Sequence, residues 1–420
     1  MRNIDATGIV RQFPNHLPPT EPGHVDLSRI YAMTLAKGVD PMEAARYLSR
    51  FPAIEYAEPW SLHRPFYLPN DPFVDTTLSN GLWYLWQIHA PEAWDIARGD
   101  SSIVVAVIDA GQTRHVDLYQ NIAFNHADPI DGLDNDGDGY ADNYEGWDLS
   151  GSTYGATEDN DPFVGNSHGL WVAGVSSAIP NNGKGLAGVG LNCRYLPIKA
   201  APDDSLGLIF AGYPAIVYAA DQGAQIINCS WGSEFQSKFG QDVVRYATIN
   251  KRAALIVAAG NSQSELTYYP AGYLEAISVA NTSFGDTIFQ GEQGYSGSTY
   301  DKTVDVSAPG WLIVGCVDNN RYFGGFAGTS FSAPIVSGAT GIVMSHFPAL
   351  TGFQAAQRLR VTADPIDAVN SPQYEDRMGL GRINLMRALS DPLKPSVRMQ
   401  HFSYRNQHGE PQAQAGDTIT

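Results

Sequence analysis

Between residue 103 and about residue 390, apolar runs of strand length alternate with segments of helical character. The strand-like runs include IVVAVID, RYLPIKA, AQIINCS and ALIVAAG. The helix-like segments between them include HGLWVAGVSSAI, LIFAGYPAIVYAADQG and DVVRYATINKRA. Runs that are apolar throughout suit strands buried on both faces, and their alternation with helices is typical of a parallel sheet covered on both sides. The sequence therefore predicts a three-layer α/β fold around a central, mostly parallel sheet.

Composition divides the chain into further regions around this main domain. In the first of them, Asp40 can cap a helix whose first residue is Pro41, and an extended piece follows, which predicts a small α+β unit. The stretch after it is rich in proline and turn formers, and the last stretch is polar and ends without a domain-closing signal. The predicted regions are a small N-terminal unit at 1–62, a linker at 63–82, the main domain at 83–392, and at 393–420 an extension or the start of another domain.

The charge balance and the hydropathy pattern exclude several classes of protein. Acidic residues outnumber basic ones by 44 to 26, and the resulting net charge of −18 repels the phosphates of nucleic acid. The sequence has no apolar run of about 18 residues, so we expect no membrane-spanning helix. The segment MRNIDATGIVRQFPNH has no apolar run fit for a signal peptide. Either the protein stays inside the cell or the chain begins after a removed signal.

Three residues that suit hydrolytic chemistry lie where strands end or helices begin. Asp109 closes the run IVVAVID, His168 opens the segment HGLWVAG, and Ser330 lies in the first turn of a long helix predicted from about residue 329. Each alone is more typical of a turn or a helix cap. Together they form a set, because a serine hydroxyl needs a base to take its proton and the base needs a carboxylate to orient it.

Four segments, VIDAG, HGLWVAG, AAGN and GTSFSAP, resemble the signature segments of the subtilase family, in the family's order. The resemblance extends over about residues 67 to 392. It implies a serine endopeptidase in which Asp109 orients the base, His168 is general base and then general acid, and Ser330 attacks the scissile carbonyl. It also implies that the side chain of Asn261, with the Ser330 backbone amide, stabilises the oxyanion.

The same resemblance points to protein or peptide substrates. Ser230, Trp231 and Gly232, in INCSWGS, match the strand to which an extended substrate adds by backbone hydrogen bonds. The segment MEAARYLSRFPAIEYAEP resembles the end of a subtilase propeptide, which implies that the N-terminal unit is an inhibitory partner of the peptidase domain. A permanent accessory subdomain is the alternative for this unit. We expect a monomer.

The chain departs from the family's pattern next to the triad. Ala110 and Gln112 follow the aspartate, Leu170 and Trp171 follow the His-Gly pair, and Phe331 follows the serine. These departures affect the expected rate and substrate preference more than the reaction type. Leu170 and Trp171 leave one alternative from another class, a calcium-binding or adhesion module on a protease fold with a silent active site.

An acidic segment, DNDGDGYADNYE, has the ligand spacing of a calcium-binding EF-hand loop, with Gly139 at the sixth position where the chain must turn sharply. The flanking sequence does not predict two helices, so we interpret it as a calcium loop inserted in the main domain. The predicted ligands are Asp134, Asp136, Asp138, Tyr140, Asp142 and Glu145.

A second calcium site is implied by the resemblance alone. Asp71, Asp117 and Asn182 match the side-chain ligands of a site in thermitase-like members of the family. Structural calcium in both places favours a secreted or extracellular enzyme, where calcium is plentiful.

Overall fold

The structure is a computed structural model of the 420-residue chain. It describes residues 5–21, 23–60, 67–75, 81–164, 167–203, 205, 207–292 and 294–397. The chain divides into two compact units, Met1–Pro65 and Phe66–Thr420. Part of the expected linker, at 63–66 and 76–80, lies outside the described residues, as does 398–420 of the expected C-terminal extension. The domain boundaries drawn from the sequence stay predictions.

The first unit is a small α+β structure. Strand β1 (Ala6–Arg11) pairs antiparallel with β2 (Tyr31–Leu35), and helix α1 (Pro41–Leu48) follows. The Asp40 side chain accepts a hydrogen bond of 2.8 Å from the Met42 backbone N–H, which satisfies one of the free donors at the start of α1. The predicted cap and first residue of this helix are confirmed.

The second unit is built on a central sheet in which every described strand pair is parallel. Its order is β4-β5-β3-β6-β7-β8-β9. The first of these strands in sequence, β3, therefore lies inside the sheet, and later strands add on both sides of it. Their carboxyl ends meet at one edge, where ligands bind in open parallel sheets. The strands are β3 (Val104–Asp109), β4 (Trp147–Asp148), β5 (Arg194–Lys199), β6 (Ile226–Cys229), β7 (Ala254–Ala258), β8 (Ala276–Thr282) and β9 (Val306–Pro309).

Both faces of this sheet are covered, as the apolar strand runs predict. In β3, Val105 and Val107 belong to the core on one face, while Ala106 and Ile108 belong to the core on the other, because successive side chains of a strand point to opposite sides. The first core holds the apolar side chains of α4, α7 and α8, and the second holds those of α5 and α6. The predicted three-layer α/β fold is therefore confirmed. The helices of this unit are α2 (Trp83–Gln87), α3 (Ala90–Trp94), α4 (His168–Ser177), α5 (Gly212–Asp221), α6 (Lys238–Arg245), α7 (Thr329–His346), α8 (Gly352–Val361) and α9 (Leu385–Ser390).

Helix α5 begins four residues later than its apolar sequence predicts. The sequence pattern includes LIFA, at 208–211, in the helix, but α5 starts at Gly212. The backbone N–H groups of Phe210 and Ala211 both donate to the Ala200 carbonyl, at 2.8 and 2.9 Å. This pairing holds the residues before Gly212 in a turn beside the end of β5, so tertiary hydrogen bonding overrides their helical pattern.

Along the chain, a two-stranded hairpin follows β9 and precedes α7. Its strands are β10 (Ile313–Val317) and β11 (Arg321–Phe326), which pair antiparallel. The described helices all fall short of the length or the apolar character that a bilayer crossing requires. The three cysteines, Cys193, Cys229 and Cys316, are buried free thiols.

Candidate active site and cation sites

Asp109 and His168 form a hydrogen-bonded pair at the carboxyl edge of the sheet. Asp109 is the last residue of β3 and is 2 % exposed, and His168 is the first residue of α4. His168 Nδ1 donates to Asp109 Oδ1 at 2.8 Å and lies 3.0 Å from Oδ2, so the carboxylate fixes the ring and its tautomer. The backbone N–H of Ala110 donates to the same Oδ1 at 2.7 Å and holds the carboxylate in turn.

The charge of Asp109 also sets the protonation of His168. Burial lowers the pKa of the imidazole, but the attraction and hydrogen bond of the Asp109 carboxylate outweigh that effect, and the pKa of His168 is raised above its usual 6.5. The side chain keeps 27 % of its surface exposed, so a ligand can reach the ring. Such a pair can accept a proton and stabilise the imidazolium that forms.

Ser330 is the second residue of α7 and lies beside the end of β6. Its hydroxyl donates to the Ser230 carbonyl at 3.3 Å, and the Ser230 hydroxyl donates to the Ser330 carbonyl at 2.9 Å. The ring of Phe331, the next residue, has its centroid 6.1 Å from that of His168. The turn into α7 depends on Gly328, whose φ of +137° is unfavourable for residues with a side chain. The fold thus brings all three residues predicted as a triad to one edge of the sheet.

Asn261 follows β7 and is held by the residue before Ser330. Its Oδ1 accepts from the Thr329 backbone N–H at 2.9 Å and from Thr329 Oγ1 at 3.1 Å. Thr329 Oγ1 in turn accepts from the Gly260 N–H at 3.2 Å, and the threonine is fully buried. Because Oδ1 is held by two donors, Nδ2 is the atom left to meet a ligand. Sequence reasoning missed this role of Thr329, although its place directly before the serine is a signal.

Ser230, Trp231 and Gly232 continue from the end of β6 towards the same edge. The Trp231 indole donates to the Ile108 carbonyl at 3.0 Å, which ties this segment to β3 one residue before Asp109. A Cβ on Gly232 would lie 2.9 Å from the Tyr269 carbonyl, so the backbone there needs glycine. The segment is therefore fixed by its neighbours on both sides.

Asp134 and Asp136 of the acidic loop converge with a third carboxylate. Oxygen atoms of Asp128, Asp134 and Asp136 all lie within 4.8 Å of one another. Asp134 accepts backbone N–H bonds from Gly137 and Gly139 at 2.7 and 2.9 Å, so the loop turns as the glycine pattern predicts. Sequence reasoning missed Asp128, which is fully buried and six residues outside the recognised spacing. Three hard oxygen donors in one place fit a calcium ion.

The other predicted ligands of this loop have different partners. Asp138 accepts from the Asn143 amide at 2.9 Å, and Asp142 accepts from the backbone N–H groups of residues 131 and 132. The Tyr140 ring packs edge-on against Trp147 and Tyr218.

Glu145, the twelfth position of the loop, pairs with a cation of the protein itself. Its Oε2 lies 2.5 Å from Arg114 Nη2, and its Oε1 accepts from the Tyr119 hydroxyl. The structure therefore does not bring Glu145 to the three aspartates.

Asp71, Asp117 and Asn182 are brought together at the second expected calcium site. Asn182 Nδ2 donates to Asp117 Oδ1 at 2.6 Å, and the Asn182 backbone N–H donates to Asp71 Oδ1 at 3.1 Å. Asp71 is 2 % exposed and Asp117 is fully buried. Burial raises the pKa of both carboxyls, and the charge of Asp117 raises that of Asp71 further. Two buried carboxylates that repel each other are suited to bind a divalent cation. Its charge would offset both the cost of burying the carboxylates and their mutual repulsion.

The sequence and the fold of the chain are both similar to those of known proteins. The model of the Subtilase family matches residues 100–381. A thermophilic serine proteinase of Bacillus sp. strain AK1 is 33 % identical over 344 residues, 82 % of this chain and 74 % of that protein. Thermitase of Thermoactinomyces vulgaris is 33 % identical over 324 residues, 77 % of this chain and 99 % of that protein. A solved protease structure from Pseudoalteromonas arctica has a TM-score of 0.61 at 24 % identity and covers 77 % of this chain and 98 % of its own.

Proposed function

Because the chain belongs to the subtilase family and is a subtilisin-like serine endopeptidase, we propose that it cleaves peptide bonds with Asp109, His168 and Ser330 as its catalytic triad. The observation that carries this proposal is the His168 Nδ1 to Asp109 distance of 2.8 Å beside the first turn of α7. The pair leaves His168 Nε2 as the proton acceptor for a nearby hydroxyl.

The proposed reaction uses these groups in turn. Ser330 Oγ attacks the scissile carbonyl carbon while its proton passes to His168 Nε2, and the C–N bond breaks as that proton passes to the leaving amine. Water repeats the two steps and releases the acyl group. In the free enzyme Ser330 Oγ donates to the Ser230 carbonyl, so the hydroxyl must rotate towards His168 when substrate binds, as is common for unliganded catalytic sites.

Asn261 supplies the electrostatic part of this mechanism. Thr329 holds Asn261 Oδ1, which orients Nδ2 as a donor without any reorganisation during the reaction. Together with the Ser330 backbone N–H, this donor can stabilise the oxygen on which negative charge develops.

The substrate is an extended peptide that adds to the backbone of Ser230, Trp231 and Gly232. Such addition gives main-chain hydrogen bonds along the peptide and leaves side-chain preference to the flanking groups. The half-buried Trp231 ring, fixed by its bond to Ile108, narrows this surface and so limits the size of the peptide side chain that meets it.

Calcium stabilises the enzyme without entering bond cleavage. Asp128, Asp134 and Asp136 would hold one ion, and Asp71 and Asp117, with Asn182 beside them, would hold another. The ions would neutralise carboxylates that repel one another, and the triad itself needs no metal.

We also propose that residues 1–62 act as an inhibitory propeptide and that the enzyme works outside the cell as a monomer. The inhibitory role is supported by the sequence resemblance of the N-terminal unit, and the extracellular location by the candidate calcium sites. The isolated segment, added in trans, should inhibit the separately folded peptidase domain, whereas a fully active, uncleaved full-length chain would contradict this.

The nucleophile is tested by replacing Ser330 with Ala. The variant should lose peptide hydrolysis by about a millionfold in kcat and should lose labelling by a serine-reactive phosphonate, while its melting temperature stays near that of the wild type. Labelling at a different serine in the wild type would refute the assignment. A wild-type chain that neither labels nor cleaves a peptide library would instead favour the silent calcium-binding module.

A further inference from the structure

The turn of the β10–β11 hairpin contacts both the segment that follows Asp109 and the residue that precedes His168. Asp318 lies in this turn, and its Oδ1 accepts from Thr113 Oγ1 at 2.9 Å and from Ser167 Oγ at 2.6 Å. The second distance is typical of a strong hydroxyl-to-carboxylate hydrogen bond. One carboxylate oxygen therefore joins the segment after β3 to the residue directly before His168.

Ser167 is the N-cap residue of α4, but its hydroxyl makes no capping bond within that helix. Serine at this position usually accepts from a backbone N–H of its own first turn. Here the hydroxyl donates to Asp318 instead, so the start of the helix that carries His168 is anchored to the hairpin. Because His168 directly follows Ser167, this bond also restrains the position of His168.

Two further contacts join the same turn to the segment after Asp109. Asn320 Oδ1 accepts from the Val116 N–H at 2.9 Å, and the Arg321 carbonyl accepts from His115 Nε2 at 3.1 Å. Both asparagines of the turn, Asn319 and Asn320, have φ near +60°, a conformation that asparagine tolerates better than most residues. Asp318, Asn320 and Arg321 thus all accept hydrogen bonds at this end of the hairpin.

The end of the hairpin contacts the remaining parts of the site. Phe326 in β11 stacks on Trp171 of α4 with ring centroids 4.5 Å apart, and on Phe331 with centroids 5.0 Å apart. Trp171 lies one turn after His168, and Phe331 directly follows Ser330. The hairpin therefore touches the neighbourhood of all three triad residues.

We infer that Asp318 is a positioning residue of this enzyme, which fixes the His168 imidazole relative to Asp109 and Ser330 by holding Ser167 and Thr113 on one oxygen. The inference rests on the proposed triad. Asp318 affects kcat more than KM, because a base displaced by a fraction of an ångström or more loses alignment with the nucleophile. Substrate still binds along the Ser230 segment.

The test compares four single variants and one double variant of the full chain with a peptide substrate. Asp318→Ala should lower kcat by roughly tenfold or more with KM changed less than about twofold. Asp318→Asn keeps an oxygen that can accept from both hydroxyls, so it should restore most of that loss. Ser167→Ala should resemble Asp318→Ala, and combining the two should cost little more than either alone, since they remove the same bond. Thr113→Ala is the matched control for the other bond of the same oxygen and should have a smaller effect.

Each outcome decides the inference. If Asp318→Ala keeps the wild-type kcat, or loses only melting temperature, Asp318 has no positioning role, whereas activity that survives in Ser330→Ala would overturn the proposed triad instead. If Asp318→Ala does not fold, the inference stands or falls on Ser167→Ala, which must show the loss in kcat at an unchanged KM.

Discussion

Replacing Asn261 with Ala tests the oxyanion role and separates it from a structural one. The change removes Nδ2, the donor left over after Oδ1 binds Thr329. Loss of one such donor costs about 2.7–4 kcal/mol of transition-state stabilisation, a value measured in subtilisin itself, which corresponds to roughly a hundred- to thousandfold in kcat. KM should change little, because the contact strengthens only as charge develops on the carbonyl oxygen.

The same replacement also leaves the fully buried Thr329 without the acceptor of its backbone N–H and hydroxyl. An unsatisfied buried donor costs about 1–3 kcal/mol, so Asn261→Ala should lower the melting temperature by a few degrees. Asn261→Asp avoids this cost, since its carboxylate still accepts both bonds from Thr329. It places an oxygen where the donor was, however, and so should lose at least as much kcat.

The assay is steady-state hydrolysis of a peptide substrate, with the active-site concentration fixed by titration with a serine-reactive probe and the melting temperature measured in parallel. The oxyanion assignment predicts a large loss of kcat in both variants and a loss of melting temperature in Asn261→Ala alone. The assignment would be refuted if Asn261→Asp kept the wild-type kcat, because another group would then hold the oxyanion.

The pKa shifts of His168, Asp71 and Asp117 allow two more predictions. The Asp109 charge raises the pKa of His168, and His168 must be neutral to accept a proton. Asp109→Asn should therefore move the acid limb of the pH profile of kcat/KM to lower pH and should lower kcat by about ten-thousandfold. An acid limb that does not move would contradict the pairing of the two residues. Burial raises the pKa of Asp71 and Asp117, so the cation-free fold loses stability as the pH rises through those raised values. Calcium at a hundred times its Kd should restore about 2.7 kcal/mol, so the difference in melting temperature between calcium and chelator should grow with pH. Melting curves that coincide with and without calcium would contradict both cation sites.

The sequence predicts the sheet and the triad segments because both depend on local patterns. Apolar runs buried on both faces define the parallel strands, and the carboxyl ends of such strands are where Asp109 must lie. The start of α7 is predicted at about residue 329 because Gly328, in GTSFSAP, precedes a helical run rich in small residues. These signals need no knowledge of distant residues.

The parts that could not be predicted depend on partners far away in the chain. Asp318 meets Thr113 and Ser167 across 205 and 151 residues, and no local pattern marks it. Glu145 matches the twelfth position of the EF-hand spacing. Its carboxylate pairs instead with Arg114, 31 residues upstream, and does not join the aspartates. Asp128 joins them because its buried carboxylate accepts backbone N–H bonds from Asn135 and Asn143, which only the folded loop aligns.

The all-parallel order of the central sheet also governs when activity can arise. Parallel neighbours cannot be joined by a tight turn, so each pair of strands closes a long loop before it gains a contact. Asp109 and His168 are 59 residues apart, and Ser230 and Ser330 are 100 residues apart. Folds made of such distant contacts cross a large entropic barrier and form slowly. The proposed nucleophile, Ser330, and the proposed base, His168, therefore meet late in folding. A chain whose loops are still open has no assembled site with which to cleave itself or its neighbours.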